Sequence, residues 1–226
     1  MTSDTFEAAI RRLTVPLNGQ FPRPWMTRLQ DPQQAKTFIV GRNQRHGYDI
    51  AVVGSHENHM NALFNRQGAT CRGLYNRITG GKASPTRQHT DELTARLEAR
   101  GVTSILETNV ICYSTPMSAD LSSAVHRGGR QKGSEIFQFL LDAIRPAVII
   151  AHGSGTRTAL AKTLKQALPD VPGTPGAVVS TGVSAGDHFM TVFVIPSLAP
   201  PEYNSWCGWA SGYLDRLSDT VAARLQ

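Results

Sequence analysis

Apolar positions along this chain alternate between two rhythms. Phe6, Ala9, Ile10 and Leu13 recur at helical spacing behind Asp4, a suitable N-cap, so residues 4–13 are expected to form a short amphipathic helix. A proline-bearing, extended lead-in over 15–35 follows. Thr37-Phe38-Ile39-Val40-Gly41 is then a short apolar run ending in glycine, which reads as a buried strand. Residues 42–89 show little periodicity, with helical turns expected at 58–66 and 70–78. Thr90 caps a clear helix that Gly101 stops, and residues 103–112 read as the next strand. After a polar loop, Ser134 caps a helix that ends before Pro146. Ala147 to Ala151 form the cleanest strand. A helix over about 156–168, a weaker strand near 177–180, a strand over 189–195 and a closing helix over 206–225 complete the pattern.

Strands that alternate with helices and are apolar throughout imply an α/β fold whose parallel sheet is covered on both faces. One domain spanning 1–226 is expected, with 1–36 as helix and lead-in. In such sheets ligands bind beyond the C-terminal ends of the strands. The residues just after each strand therefore carry the candidate chemistry.

Composition narrows the classes. Apolar residues make up 40% and charged residues 18%, which excludes a disordered chain. The net charge of +6 and pI near 9.5 favour anionic partners such as nucleic acid or a phosphorylated ligand. The excess concentrates between Arg42 and Arg87, where seven Lys/Arg face two acids, Asp49 and Glu57. Three scattered cysteines argue against a disulfide scaffold and against a four-cysteine metal site. His56 and His59 stand three apart, not the four that a zincin helix needs, so no metal is expected. Neither a signal peptide nor a membrane span is read from the sequence, and a cytoplasmic monomer without cofactor is the expectation.

Three runs follow the expected strands, Gly41-Arg42-Asn43-Gln44-Arg45-His46-Gly47, His152-Gly153-Ser154-Gly155 and Pro196-Ser197-Leu198, and Glu107-Thr108-Asn109 lies within the second strand. Together these resemble the uracil-DNA glycosylase superfamily. GRNQRHG is similar to its first motif, whose common forms read GQDPYHG or G-x-N-P. LETNVICYST is similar to the asparagine-bearing second strand. The glycine-containing basic segment with Arg127, Arg130 and Lys132, followed by helix, strand and glycine, matches the family's plan. Ile195-Pro196-Ser197 matches two of three positions of its last motif. The resemblance runs from about residue 37 to the C-terminus. It implies a three-layer α/β/α fold around a mostly parallel, four- or five-stranded sheet, and hydrolysis of the glycosidic bond of uracil or a related deaminated base flipped out of DNA.

By that resemblance Asn43 would orient the attacking water, Asn109 would read the base edge, and Gly41 and Gln44 would line the pocket. Phe64, or alternatively Tyr75, would stack on the base. Ser197, with Pro196 and Ser154, would meet a DNA phosphate, and Arg127, Arg130 and Lys132 would supply positive charge. The family's last motif begins with a histidine or asparagine that stabilises the departing base. Here Ile195 can donate nothing, and a lost donor of this kind costs two to three orders of magnitude in rate. His152 and His46 are the nearest compensators by motif position. Two other functions stand beside this one: a family-like protein that binds nucleic acid or a nucleotide without cleaving, and an unrelated hydrolase using Ser154, which lacks a complete G-x-S-x-G elbow.

Overall fold

The computed structural model describes residues 2–226. Its elements in chain order are α1 (Ser3–Leu13), β1 (Gln20–Phe21), β2 (Met26–Thr27), β3 (Thr37–Gln44), β4 (Tyr48–Asp49), α2 (Ile50–Val53), α3 (His56–Leu63), α4 (Cys71–Ile78), α5 (Pro85–Glu98), β5 (Ile105–Ser114), α6 (Gly129–Ile144), β6 (Val148–His152), α7 (Ser154–Leu164), β7 (Ser180–Ala185), β8 (His188–Ile195) and α8 (Cys207–Leu225). The fold is α/β. Six strands form a mixed, mostly parallel sheet in the order β2-β5-β3-β6-β8-β7, flanked by helices.

Six strands replace the expected four or five because both edges are weak in sequence. β2 is two residues inside the proline-bearing lead-in and runs antiparallel to β5. β7 has only Val183 buried, and it pairs antiparallel with β8. Edge strands need no continuous apolar run, so periodicity does not reveal them.

The described residues divide into two compact units. The first holds residues up to 35, 41–82 and 106–145. In it α1 is capped by Thr2, two residues before the expected Asp4, and buries Phe6, Ala9 and Ile10. Phe6 meets Trp25, Phe64 and Phe139 in an aromatic core. The aperiodic stretch after β3 contains three helices, α2 to α4, two of them near the expected places. These are short and capped by Asp49, Ser55 and Thr70, whose side chains accept the first free N–H groups.

α6 begins five residues before the expected cap at Ser134, after Gly128 in the left-handed region (φ 78°). Its two inner glycines explain the length. A Cβ on Gly129 would lie 2.4 Å from the Tyr113 ring, and one on Gly133 would lie 2.8 Å from the Cys112 backbone nitrogen. The helix touches β5 through bare backbone, so a glycine-rich stretch that looks like loop is helical by tertiary demand. Gly133→Ala is therefore expected to cost about 1–3 kcal/mol in urea unfolding. The matching Gly212→Ala in α8, where a Cβ meets only the Arg216 guanidinium at 3.5 Å, should be neutral or stabilising. Equal effects would show that the α6–β5 approach has slack.

The second unit holds residues 36–40, 83–105 and 146–226. β3 pairs in parallel with β6, and β6 with β8, and the paired residues are buried except His152 at the end of β6. Leu93 and Leu97 of α5 pack with Tyr213, Leu214, Leu217 and Val221 of α8 in a core that also takes Ile39, Ile150 and Phe193. α5 starts at Pro85 with Ser84 as its cap, not at Thr90. Both positions carry capping chemistry, but proline at the first turn fixes the earlier start. Thr90 instead returns its hydroxyl to the Thr86 carbonyl (2.8 Å) and is buried.

Candidate functional site

The first unit gathers polar groups where β3 and β5 end. Asn43 is the penultimate residue of β3. Its amide donates to the Thr115 hydroxyl (2.9 Å), and its carbonyl oxygen accepts from the Ser118 hydroxyl (2.5 Å). The carboxamide is thus held in one orientation, with one acceptor position of its oxygen left over. The Thr115 N–H donates to the Gln44 carbonyl, which brings the end of β5 to the end of β3.

Gln44 is buried, and both ends of its side chain are used. Nε2 donates to the Arg23 carbonyl (2.6 Å) and Oε1 accepts from the Ser114 hydroxyl (3.0 Å). It fastens the lead-in to the strand ends. Gly41 is buried within β3. His46, half-buried just past the strand, is held below the ordinary pKa of 6.5 by burial, then by Arg45 and Arg23.

Three expectations are corrected in this unit. The resemblance puts Asn109 at a strand end, but β5 runs Ile105–Ser114, two residues past the expected 112, and holds Asn109 in its middle. Asn43 bonds to Thr115, just past the end of β5, while the Asn109 carbonyl accepts from the Cys112 thiol (3.1 Å) within the strand. No hydrogen bond joins Asn109 to Asn43 among the described residues. Phe64 is 2% exposed, with Trp25 and Phe6 edge-on to its ring and Arg66 over it at 4.7 Å, so it is core and offers no open face. Tyr75, the alternative platform, is also buried, with Arg23 over its ring. Lastly, only Arg127 of the basic segment is in a loop. Arg130 and Lys132 sit in the first turn of α6, where no acid is present. Among the described residues no carboxylate pairs with any of these three cations, whereas Arg96 and Arg100 of the other unit are tied to Asp215. Cations at the positive end of a helix are disfavoured unless an anion joins them.

The second unit builds its own group at the ends of β6 and β8. The parallel register pairs His152 with Ile195. Ile195 points into the core at 0% exposure, while His152 is only half-buried. The Leu198 N–H donates to His152 Nδ1 (3.5 Å), which leaves the ring proton on Nε2. Loss of hydration, then the Arg87 charge, lowers the His152 pKa to about 4, so the ring is neutral at physiological pH. Gly153 (φ 86°) turns the chain against Ser197, whose Cβ would be 3.3 Å from an added methyl, and α7 starts at exposed Ser154 with no side chain capping its N–H groups.

Pro196 is buried directly after β8. The Ser197 hydroxyl accepts from the Ala199 N–H (3.1 Å), so it braces its own turn, and the Trp206 indole donates to the Ser197 carbonyl (2.8 Å). Sequence reading missed His89. Its Nδ1 lies 2.8 Å from the Leu198 carbonyl, and its ring stacks on Tyr203 with centroids 3.5 Å apart. The missed start of α5 hid it, since position 89 falls outside a helix that begins at Thr90. A separate hollow of about 340 Å³ lined by Lys36, Thr37, Arg100 and Ser104 lies by the start of β3, away from the strand ends.

The histidines of α3 are packed into the core: His56 Nε2 meets the Thr14 hydroxyl (3.0 Å), and His59 is enclosed by Phe21 and Tyr48. No helix among the described residues is long and apolar enough to cross a membrane. No protein-family model matches this chain, and no curated protein matches it.

Proposed function

We propose that the chain hydrolyses the N-glycosidic bond of uracil or a related deaminated base extruded from DNA, with His152 as the donor to the departing base. The β6–β8 register carries this reading. The motif position that lacks a donor is Ile195, and its strand neighbour is a neutral histidine whose Nε2–H is uncommitted. In the reaction the bond between C1′ and the base nitrogen breaks, and its electron pair leaves with the base. Water adds its oxygen to C1′ and releases a proton to solvent. Negative charge collects on the base carbonyl oxygens, where a fixed neutral donor acts with most effect. The resemblance gives Asn43, pinned by Thr115 and Ser118 in the first unit, the role of orienting the water without removing its proton. The open N-terminus of α7 at Ser154 suits a phosphate.

The test is base release from single-stranded oligonucleotides carrying uracil, hypoxanthine or xanthine. Release slowed by Asn43→Ala is expected, and an undiminished rate in that variant would remove Asn43 from the mechanism. Ile195, which offers no donor at the last motif, favours a second reading, binding of nucleic acid or nucleotide without cleavage. Gel-shift beside base release separates the two: binding with no release from any base supports the second.

Arg127, Arg130 and Lys132 supply the anion attraction in either reading. Changing all three to Ala should weaken single-strand binding and flatten the slope of log affinity against log salt by about 2, at ~0.7 per phosphate contact. An unchanged slope would remove these cations from the interface.

A further inference from the structure

A second histidine at the end of β8 gives the proposed base site a direction. One residue, Leu198, fixes both rings. Its N–H can only donate, so His152 Nδ1 is bare and Nε2 carries the proton. Its carbonyl can only accept, so His89 Nδ1 carries a proton, and in the neutral ring His89 Nε2 is bare. The two imidazoles, held to one backbone residue, therefore have opposite tautomers: one outward donor and one outward acceptor. Neither Nε2 atom has a partner among the described residues, and neither is sealed from solvent. Tyr203, stacked on His89, fixes the plane of that ring.

We infer that His89 and His152 together read a lactam edge, His152 Nε2–H donating to a carbonyl oxygen and His89 Nε2 accepting from the adjacent ring N–H. This rests on the base-excision reading and deepens it. It supplies an edge reader from the strand ends of the second unit alone. The substrate class follows from the pattern. Uracil, hypoxanthine and xanthine present a carbonyl beside an N–H. Cytosine and adenine present an amino group beside a bare nitrogen, which sets donor against donor and acceptor against acceptor. Deamination, which turns an amidine edge into a lactam edge, is then the class of reaction that creates the substrate.

Two substitutions at His89 separate reading from bracing. His89→Asn keeps an amide N–H where Nδ1 stood and so keeps the Leu198 bond, but it loses the distal acceptor. His89→Gln places a carboxamide where Nε2 stood and loses the near donor. The measurement is kcat/KM for uracil and for cytosine in the same single-stranded context, with melting temperature as the fold control. The expected result is that Asn lowers the uracil-to-cytosine ratio about 10- to 100-fold at unchanged melting temperature, while Gln retains more of that ratio. If Asn behaves as wild type and only Gln is impaired, His89 is a brace for Leu198 and the inference fails. If wild-type protein releases and binds no base-modified oligonucleotide, the base-excision reading itself fails, a result distinct from either His89 outcome.

Discussion

His152→Ala should reduce single-turnover base release by two to three orders of magnitude while leaving single-strand binding within a few-fold of wild type. The size is that of removing one fixed donor from the place where charge develops. The separation of effects follows because a hydrogen bond that strengthens only as the base departs lowers the barrier more than it lowers the dissociation constant. His152→Gln, whose carboxamide can place an N–H near Nε2, should recover part of the loss. The pH profile adds a sign. The His152 pKa is depressed to about 4 by lost hydration and by Arg87, so its neutral form persists from neutral pH down to nearly that value. The rate should show no inflection from this group between pH 5 and 8. A step near 6.5 that His152→Gln abolishes would mean that the ring titrates as if in water, and the packing argument would be wrong.

Acid should destabilise the first unit steeply, and His59 should account for most of the slope. Its ring is 0% exposed, stacked near Phe21 and Tyr48, with neither nitrogen bonded to any group of the described protein. Burial, reinforced by His56, lowers its pKa from 6.5 to about 3. The unfolded chain therefore takes up the proton first. The contribution is fully present above pH 6.5 and is lost as pH falls from there toward 3, up to about 5 kcal/mol at 1.36 kcal/mol per pKa unit. His59→Leu, of similar volume, removes both the titration and two unsatisfied polar atoms. It should raise stability at pH 7 by about 1–3 kcal/mol and flatten the acid limb of urea unfolding followed from pH 7 to 4. A variant less stable than wild type at pH 7, with the same acid slope, would mean that the imidazole has a partner and is needed.

What the sequence revealed, and what it hid, divide along physical lines. β3, β6 and β8 were legible because strands covered on both faces are apolar without interruption. β2 was hidden, and β7 was legible only as a weak strand near 177–180 where it spans Ser180–Ala185, because an edge strand needs neither length nor an apolar run. The start of α6 was hidden because Gly129 and Gly133 look like loop, and only the nearness of Tyr113 and Cys112 makes them helical. The site followed the same rule. Asn43, His152 and Ser197 sit at or just past strand ends, where the order of elements placed them. Asn109 stands at a strand end only by the resemblance; the apolar run through Val110 and Ile111 already carries the strand past it, and β5 ends at Ser114. Phe64 follows only from the resemblance, which cannot tell a base platform from the core ring it proves to be. His89 was overlooked because its partner is a backbone carbonyl more than a hundred residues away, a contact that leaves no local signature.

The measurement closest to the central claim is the ring ¹⁵N spectrum of His152 during titration with an oligonucleotide carrying a non-cleavable 2′-fluoro deoxyuridine. The account predicts a neutral ring protonated on Nε2 in the free protein, with Nε2 shifting on binding as it donates to the base and Nδ1 remaining an acceptor. Saturable binding of that oligonucleotide with both His152 nitrogens unmoved would contradict it.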